Sequence, residues 1–385
     1  MNSKERHEAR YQRRKQKRDE RKRLRYGRCD DFDEVFTFDN LYTASRKCCL
    51  GVGWKASTQR YKANALRNVA DTLSLLHNNK FKSRGFYEFD RCERGKLRHI
   101  KSVPLNERVV QRCLCDNSLV DMYSRSFIYD NGACIKNKGV SFAVARLKCH
   151  LQRHYRKYGT EGYALVFDFS KYFDNIQHAP LKEIVDKVYT DNRIKTLIKQ
   201  LYSDFGEMGL GLGSQVSQSS ALMYPNRIDH FIKEVLKIKN YARYMDDGYL
   251  LHPSKDYLKY CLERIREICA ELGIKLNPKK TQIVKISHGI TFLKRRFRLT
   301  DTGAVIIKPS RKGVTKMRRK MRMYQKWVES GKMTIDDVRT SCVSFIGGIL
   351  KCNAYHTIVN IIKLYYQLFK EALYGLKGRF ATNYQ

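Results

Sequence analysis

Long apolar runs are missing from this chain, and so is any cysteine pattern that would hold zinc. No stretch of about eighteen consecutive apolar residues occurs, so no membrane-spanning helix is expected. The first residues are charged and carry no apolar segment of the kind a secretory signal needs, so none is expected. The twelve cysteines are scattered. None forms a Cys-x-x-Cys pair with a second such pair, and Cys48-Cys49 and Cys113/Cys115 have the wrong spacing for the common zinc motifs. Reduced cytosolic thiols are the expectation. Acidic residues are scarce as well: 38 Asp and Glu face 76 Lys and Arg, a net charge of +38. That excess calls for a polyanion, nucleic acid first among them, with binding that falls steeply with salt. It does not separate an enzyme from a packaging protein. The 385 residues suffice for two or three lobes around a substantial core.

In so basic a chain, acids set in apolar surroundings are informative. Lys239-Asn-Tyr-Ala-Arg-Tyr-Met-Asp-Asp-Gly-Tyr-Leu-Leu-His252 reads as a strand, a tight acidic turn and a second strand, a β-hairpin with Asp246 and Asp247 at its tip. Adjacent carboxylates there repel each other and lose hydration, a cost that a divalent cation offsets. An Asp-Asp turn taken alone is more often simply solvated. Upstream, Tyr163-Ala-Leu-Val-Phe-Asp168 reads as a buried strand ending in an acid, by itself no more than a strand-end cap. If the two strands pair, Asp168, Asp246 and Asp247 converge on two Mg2+ ions, with Mn2+ as a substitute, as two-metal phosphoryl transfer requires.

Tyr244-Met245-Asp246-Asp247 in a hairpin, preceded by Asp168-x-x-x-x-Phe173 after a strand, resembles the palm of reverse transcriptases, and further motifs follow that family's order through most of the chain. The resemblance implies an α+β right-hand polymerase, with fingers and palm interleaved over 29–308 and a helical thumb over 309–373. Residues 1–28, too polar to fold alone, read as a basic arm on nucleic-acid phosphates or as a solvated tail, and 374–385 as a loose tail. The palm is then a small antiparallel sheet packed on helices. The implied activity is RNA-directed DNA synthesis, in which a primer 3′-hydroxyl attacks the α-phosphate of a dNTP in line. Asp168, Asp246, Asp247 and the backbone carbonyl of Phe169 are the implied metal ligands.

Flanking motifs fill in the rest. The strands around Arg94-Gly95 read as a hairpin with Lys96 and Arg98 on one face, and the resemblance makes them the cup for the incoming triphosphate, a task that suits a bidentate Arg. Arg108 opens a helix on the template side. Lys136 and Lys138 lie in a turn-rich loop and contact template phosphates or merely connect elements. Phe173 stands where the family keeps a bulky side chain under the sugar, which selects deoxynucleotides; a core Phe is the plain alternative. Gly213 and Gln218 belong to a glycine-rich loop opening a helix, beneath the templating base pair. Lys280, in Asn277-Pro-Lys-Lys-Thr281, is the candidate to protonate the departing pyrophosphate, or a surface lysine. Tyr244 adds a nucleic-acid contact, Leu293 and Lys294 form a primer-grip turn in which Lys294 replaces the usual Gly, and Lys316 and Arg319 lie on a basic thumb helix along the product duplex. The interleaved methionines read as core. Residues 29–80 read as helical, over Asp33–Arg46 and Ser57–Leu76, and Trp54, Tyr61, Leu66, Val69, Leu73 and Leu76 fall roughly at helical spacing and read as mostly core. Later helices are expected over Thr334–Leu350, broken at Gly347-Gly348, and over Tyr355–Leu373.

The glycine-rich loop departs from the Pro-Gln-Gly of retroviral, group II intron and retron enzymes. It reads Gly211-Leu212-Gly213, followed by Ser217-Gln218 and Asp229-His-Phe. This looks most like the reverse transcriptases of diversity-generating retroelements, and loss of the Gln amide suggests reduced fidelity. The partners this implies are a structured noncoding RNA as template, a DNA or RNA primer, dNTPs, and a basic accessory protein or second polymerase subunit. The setting implied is the cytoplasm of a bacterial or phage-infected cell, with no membrane. Rival readings are a defence-associated reverse transcriptase with a cognate noncoding RNA, a non-catalytic RNA-binding polymerase derivative, and an RNA-templated RNA polymerase, the last opposed by Phe173.

Overall fold

The computed structural model describes residues 2–93 and 96–376, with backbone alone at Ser3, Lys4, Lys22, Arg23, Glu93, Lys96 and Arg98. Among these residues the strands are β1 (Tyr87–Glu93), β2 (Lys96–Ser102), β3 (Tyr163–Asp168), β4 (Tyr241–Tyr244), β5 (Asp247–His252), β6 (Gln282–Lys285), β7 (Ile290–Phe292), β8 (Arg295–Leu299) and β9 (Val305–Pro309). β1 and β2 form an antiparallel ribbon, β4-β5-β3-β6 a four-stranded sheet in that order, and β7-β8-β9 a three-stranded one. Every strand pairing is antiparallel. Helices surround the sheets, so the architecture is α+β.

The four-stranded sheet separates two cores. On β3, Leu165 and Phe167 enter one core while Ala164 and Val166 face the other. On β5, Leu250 enters the first while Tyr249 and Leu251 enter the second. Strand side chains alternate, so one short apolar run serves both cores. The first core takes helix Lys255–Glu271 through Leu258, Cys261 and Ile265, together with the helices nearer the amino terminus. The second takes helix Val140–Tyr158 through Ala143, Leu147 and Leu151, together with the carboxy-terminal helices. Each large apolar side chain withdrawn from water contributes about 1.5–3 kcal/mol. The end of this sheet is therefore held from both sides.

The amino-terminal segment is one helix, Ser3–Cys29, opened by a capping box between Asn2 and Glu5. Its described side chains are exposed as far as Arg25 apart from a half-buried Ala9, and it meets the body only at its last turns. Arg25 binds Asp121 with both ends of its guanidinium (2.6 and 3.0 Å), and Arg125 lies 4.2 Å over the Tyr26 ring. Beyond it the expected single helix over Ser57–Leu76 is two, Ala56–Ala63 and Ala65–His77, separated at Asn64. Trp54 (75% exposed) and Leu66 (61%) lie outside the core, whereas Tyr61, Val69 and Leu76 are inside it. Helical spacing shows which residues share a face, not how far a core extends along it.

The carboxy-terminal lobe is three helices, Arg311–Glu329, Ile335–Ile349 and Tyr355–Phe369. The middle one runs unbroken through Gly347 and Gly348, against expectation, because packing of Val338, Cys342 and Ile346 outweighs the weak helix propensity of two glycines. The last stops at Phe369, earlier than expected, where Lys370 turns left-handed (φ 56°). Met317 and Met321 are buried, as the spacing suggested; Met323 is exposed. No described helix is long and apolar enough to cross a membrane.

Candidate active site

β3 and β5 pair with Asp168 opposite Asp247, and β4 pairs with β5 so that Met245 and Asp246 form the two-residue turn between Tyr244 and Asp247. Asp168 and Asp247 thus stand side by side on one face of the sheet, where like charges are destabilising. Gly248 lets the strands come this close: a Cβ there would lie 2.3 Å from the Phe167 ring. Met245 holds a left-handed φ of 56°, costly for a side chain other than glycine. Two hydrogen bonds flank the acid that follows it: the Arg243 guanidinium donates to the Met245 carbonyl (2.8 Å), and the Phe169 N–H donates to the Asp246 carbonyl (3.1 Å).

Asp168 is 5% exposed. The Lys280 ammonium donates to its Oδ1 at 2.6 Å, and the Asn277 amide to its Oδ2 at 3.2 Å. The Asn277 N–H also binds the Asp168 carbonyl at 2.7 Å, so this asparagine anchors the loop that delivers Lys280. Burial, then a hydrogen bond that protonated Asp247 donates to Asp168, then the charges of Asp246 and Asp168 push the Asp247 carboxyl up to about 7. Burial and the charge of Asp168 also raise Asp246. Burial pulls the Lys280 ammonium down, but Asp168, with Asp247 and Asp246 behind it, outweighs this and raises it. Lys280 therefore stays charged. The Lys280 ammonium pairs with Asp168 alone of the three carboxyls, and burial with the neighbouring acids favours the protonated form of Asp247. This chemistry fits a divalent cation, which would displace the proton and draw the carboxylates together. Among the described residues no group of three or more His, Cys, Asp or Glu side chains already stands as a ligand shell. Phe169 buries its ring in the first core, so only its backbone can serve the site.

The glycine-rich loop docks on the turn that follows Asp168. Gly209 N–H donates to the Ile176 carbonyl and Leu210 N–H to the Phe173 carbonyl, both at 2.8 Å. Phe173 is half-buried, edge-on to Tyr172 at 5.8 Å, so it is neither free nor fully committed to the core. A Cβ at Gly211 would strike the Phe205 ring at 2.1 Å, and that ring stacks on Phe86, at the foot of the β1–β2 ribbon, at 4.6 Å. The departure from Pro-Gln-Gly is thus part of a joint between loop and ribbon. Gly213 is exposed just before Ser214, which caps helix Gln215–Met223 and donates to Gln111 at 2.8 Å. Gln218 is exposed on that helix.

The remaining expected contacts divide. The side chains of Lys96 and Arg98 lie outside the described residues; their backbones pair with Glu93 and Arg91. Arg108 binds the Ser102 hydroxyl (3.1 Å) and the Val103 carbonyl (3.0 Å), with its Nε buried. It ties down the ribbon rather than reaching for a template. Lys138 likewise donates to the carbonyls of Tyr129 (2.6 Å) and Asn131 (3.0 Å) between the Tyr129 and Phe142 rings. Its charge locks the loop, whereas Lys136 is exposed. Tyr244 is half-buried against the second core. Leu293 and Lys294 form the β7–β8 turn with φ of 47° and 61°, the left-handed pair that a two-residue hairpin prefers, reached here without glycine. Lys316 and Arg319 are exposed on the first thumb helix, opposite its buried methionines.

Sequence reading passed over Arg243, Asp229, Asn277 and Asp130. Arg243 did carry a signal, a charge inside an otherwise apolar strand, which must find a buried partner. Asp130 binds Arg146 (2.6 Å) and Lys233 (2.9 Å), and Arg146 reaches His150, which meets the Tyr249 hydroxyl at 2.9 Å. This network backs the β4–β5 hairpin from the second core.

A family model described as reverse transcriptase (RNA-dependent DNA polymerase) matches residues 82–297, more than half of the chain. No curated protein matches the sequence. Among solved structures, the telomerase of Candida albicans in complex with the TWJ fragment of telomeric RNA is similar at 11% identity and a TM-score of 0.47, over 75% of this chain and 61% of that one. The apo telomerase of Candida tropicalis is similar at 12% identity and a TM-score of 0.46, over 75% and 63%. A form of the latter truncated of its C-terminal domain gives 14% and 0.43, over 63% and 60%. The chain thus spans less than two thirds of the length of each.

Proposed function

We propose, for a chain that belongs to the reverse transcriptase (RNA-dependent DNA polymerase) family, that the carboxylate cluster at the end of β3 and β5 is where a primer is extended along an RNA template. The chain is an RNA-directed DNA polymerase, a nucleotidyltransferase. The observation that carries the site is the register that sets Asp168 against Asp247, with Asp246 in the adjoining turn. Divalent ions held by Asp168, Asp246 and Asp247, Mg2+ or Mn2+, would supply the charge that activates the primer hydroxyl and stabilises the leaving oxygen. Lys280 neutralises Asp168 and, with nucleotide present, is the proton donor for pyrophosphate. Lys96 and Arg98 hold the triphosphate, and Phe173, kept at the sugar by its backbone bond to the glycine-rich loop, excludes a 2′-hydroxyl.

Lys136, Lys316 and Arg319 offer exposed charge to template and product. The Ser3–Cys29 helix, polar on all sides, offers a row of cations to a structured RNA. The Gly211-Leu212-Gly213 loop supports a diversity-generating-retroelement type with reduced fidelity, for which Leu212→Gln would lower the cDNA error rate. The central test is extension of a primer on RNA with dNTPs and, separately, with NTPs, by wild type and Asp246→Asn. Extension with dNTPs alone, lost in the variant while RNA binding persists, is expected. Extension by Asp246→Asn at the wild-type rate refutes the site.

A further inference from the structure

Arg243 is 1% exposed and its partner Asp229 fully buried. The guanidinium donates to Asp229 Oδ1 through Nε (2.8 Å) and to Oδ2 through Nη2 (2.7 Å), and the Tyr241 hydroxyl donates to Oδ1 at 2.5 Å. A buried ion pair recovers its desolvation cost only with excellent geometry and further hydrogen bonds, and apolar groups of the same shape serve stability equally well. Its other contacts are therefore informative. Nη2 also donates to the Leu222 carbonyl (3.0 Å), near the end of helix Gln215–Met223, and Nη1 donates to the Met245 carbonyl (2.8 Å). Four bonds in fixed directions are what a planar fork provides and an ammonium does not.

The Met245 carbonyl is the decisive partner. Met245 sits at φ 56°, in a region its side chain disfavours, so its peptide plane has an easier alternative. That plane sets the direction of the Asp246 Cα. The plane on the other side of Asp246 is held by Phe169 N–H at 3.1 Å. Both peptide planes flanking Asp246 are thus pinned, one by Arg243 and one by β3's continuation. The Leu222 bond sets the same turn against the helix that follows the glycine-rich loop.

We propose that Arg243 is a positioning residue that aims the Asp246 carboxylate before any cation arrives, with Asp229 holding the guanidinium in place. The proposal rests on the polymerase reading above. The test is Asp229→Leu combined with Arg243→Met, which removes the brace and leaves an apolar pair of similar volume, a replacement buried pairs commonly tolerate. Mn2+ binding to the RNA-free chain is read by electron paramagnetic resonance, and primer extension is read as separate kcat and dNTP KM. Mn2+ affinity should fall about 10–100-fold, the usual cost of losing a group that orients a ligand, with kcat falling alongside. Template-RNA affinity, dNTP KM and cooperative melting should stay as in wild type. Wild-type Mn2+ affinity in the folded double variant overturns the proposal. If that variant does not melt cooperatively, Arg243→Lys decides: weakened Mn2+ binding supports the brace, unchanged binding removes it. Failure of the polymerase reading looks different, as a wild-type chain that binds Mn2+ but extends no primer.

Discussion

The hairpin β4–β5 lies between two cores, with Tyr241, Tyr249 and Leu250 fully buried. The hairpin β1–β2 has water on both faces, with Tyr87 70%, Phe89 47% and Leu97 72% exposed. Both read from the sequence as short strands around a polar turn, and both carry residues expected to meet a nucleotide. The acidic hairpin takes its stiffness from neighbours: Phe167 against Gly248, Arg243 under the turn, the Asp130 network behind. The ribbon has its own ladder, an exposed His99 between Asp90 (2.9 Å) and Glu88 (3.0 Å), and a foothold through Phe86 and Arg108. An isolated two-stranded ribbon is marginal in water. On the function proposed above, carboxylates sharing a cation need fixed spacing, whereas a cup closing on a triphosphate needs room to move.

The strongest way to break this contrast is to mutate the chemistry of each hairpin. Asp246→Asn should lower kcat by at least about 10^3-fold, since a ligand of the cations that would neutralise transition-state charge is lost, while Arg98→Ala should mainly raise dNTP KM. Steady-state extension kinetics separate the two, and equal kcat losses would erase the distinction. Next in size, amides of β4 and β5 should exchange with deuterium at least about 100-fold more slowly than those of β1 and β2, because opening them exposes two cores. Comparable protection would mean that the ribbon is held by more than its foot.

Gly248→Ala is a smaller perturbation. It drives a methyl into the Phe167 ring and should cost about 1–3 kcal/mol, seen as a melting shift of several degrees, whereas Phe89→Ala on the ribbon should shift melting little. The smallest effect concerns pH. Asp90 first and Glu88 second raise the His99 pKa above its ordinary 6.5. A raised folded value means the stabilisation is complete below 6.5 and is lost as pH rises through the folded value. Ribbon amides, corrected for intrinsic rates, should therefore exchange faster at about pH 8 than at about pH 6, and His99→Ala should remove the difference.

Composition and motif order were enough to announce a nucleic-acid polymerase with an acidic hairpin, because the period of two along β3 and β5 and the turn at Asp246 are local properties. Lys280 could be named because it follows Asn277-Pro-Lys in a recognisable run. The sequence could not show that Lys138 and Arg108 spend their donors on carbonyls and a hydroxyl of the chain itself, that Trp54 stays in water, or that Gly347-Gly348 leaves a helix intact. Each depends on which surface lies opposite, and that is set by contacts between segments far apart in the chain.

By itself, then, the order of amino acids determined which residues alternate, which turn tightly and where charge accumulates. Only the tertiary structure decided that Arg243 would meet Asp229 and Met245, and that Asp168 would stand against Asp247 with Lys280 as its partner. Buried charge has no local energy minimum of its own, and it is stable only where the fold brings partners to it.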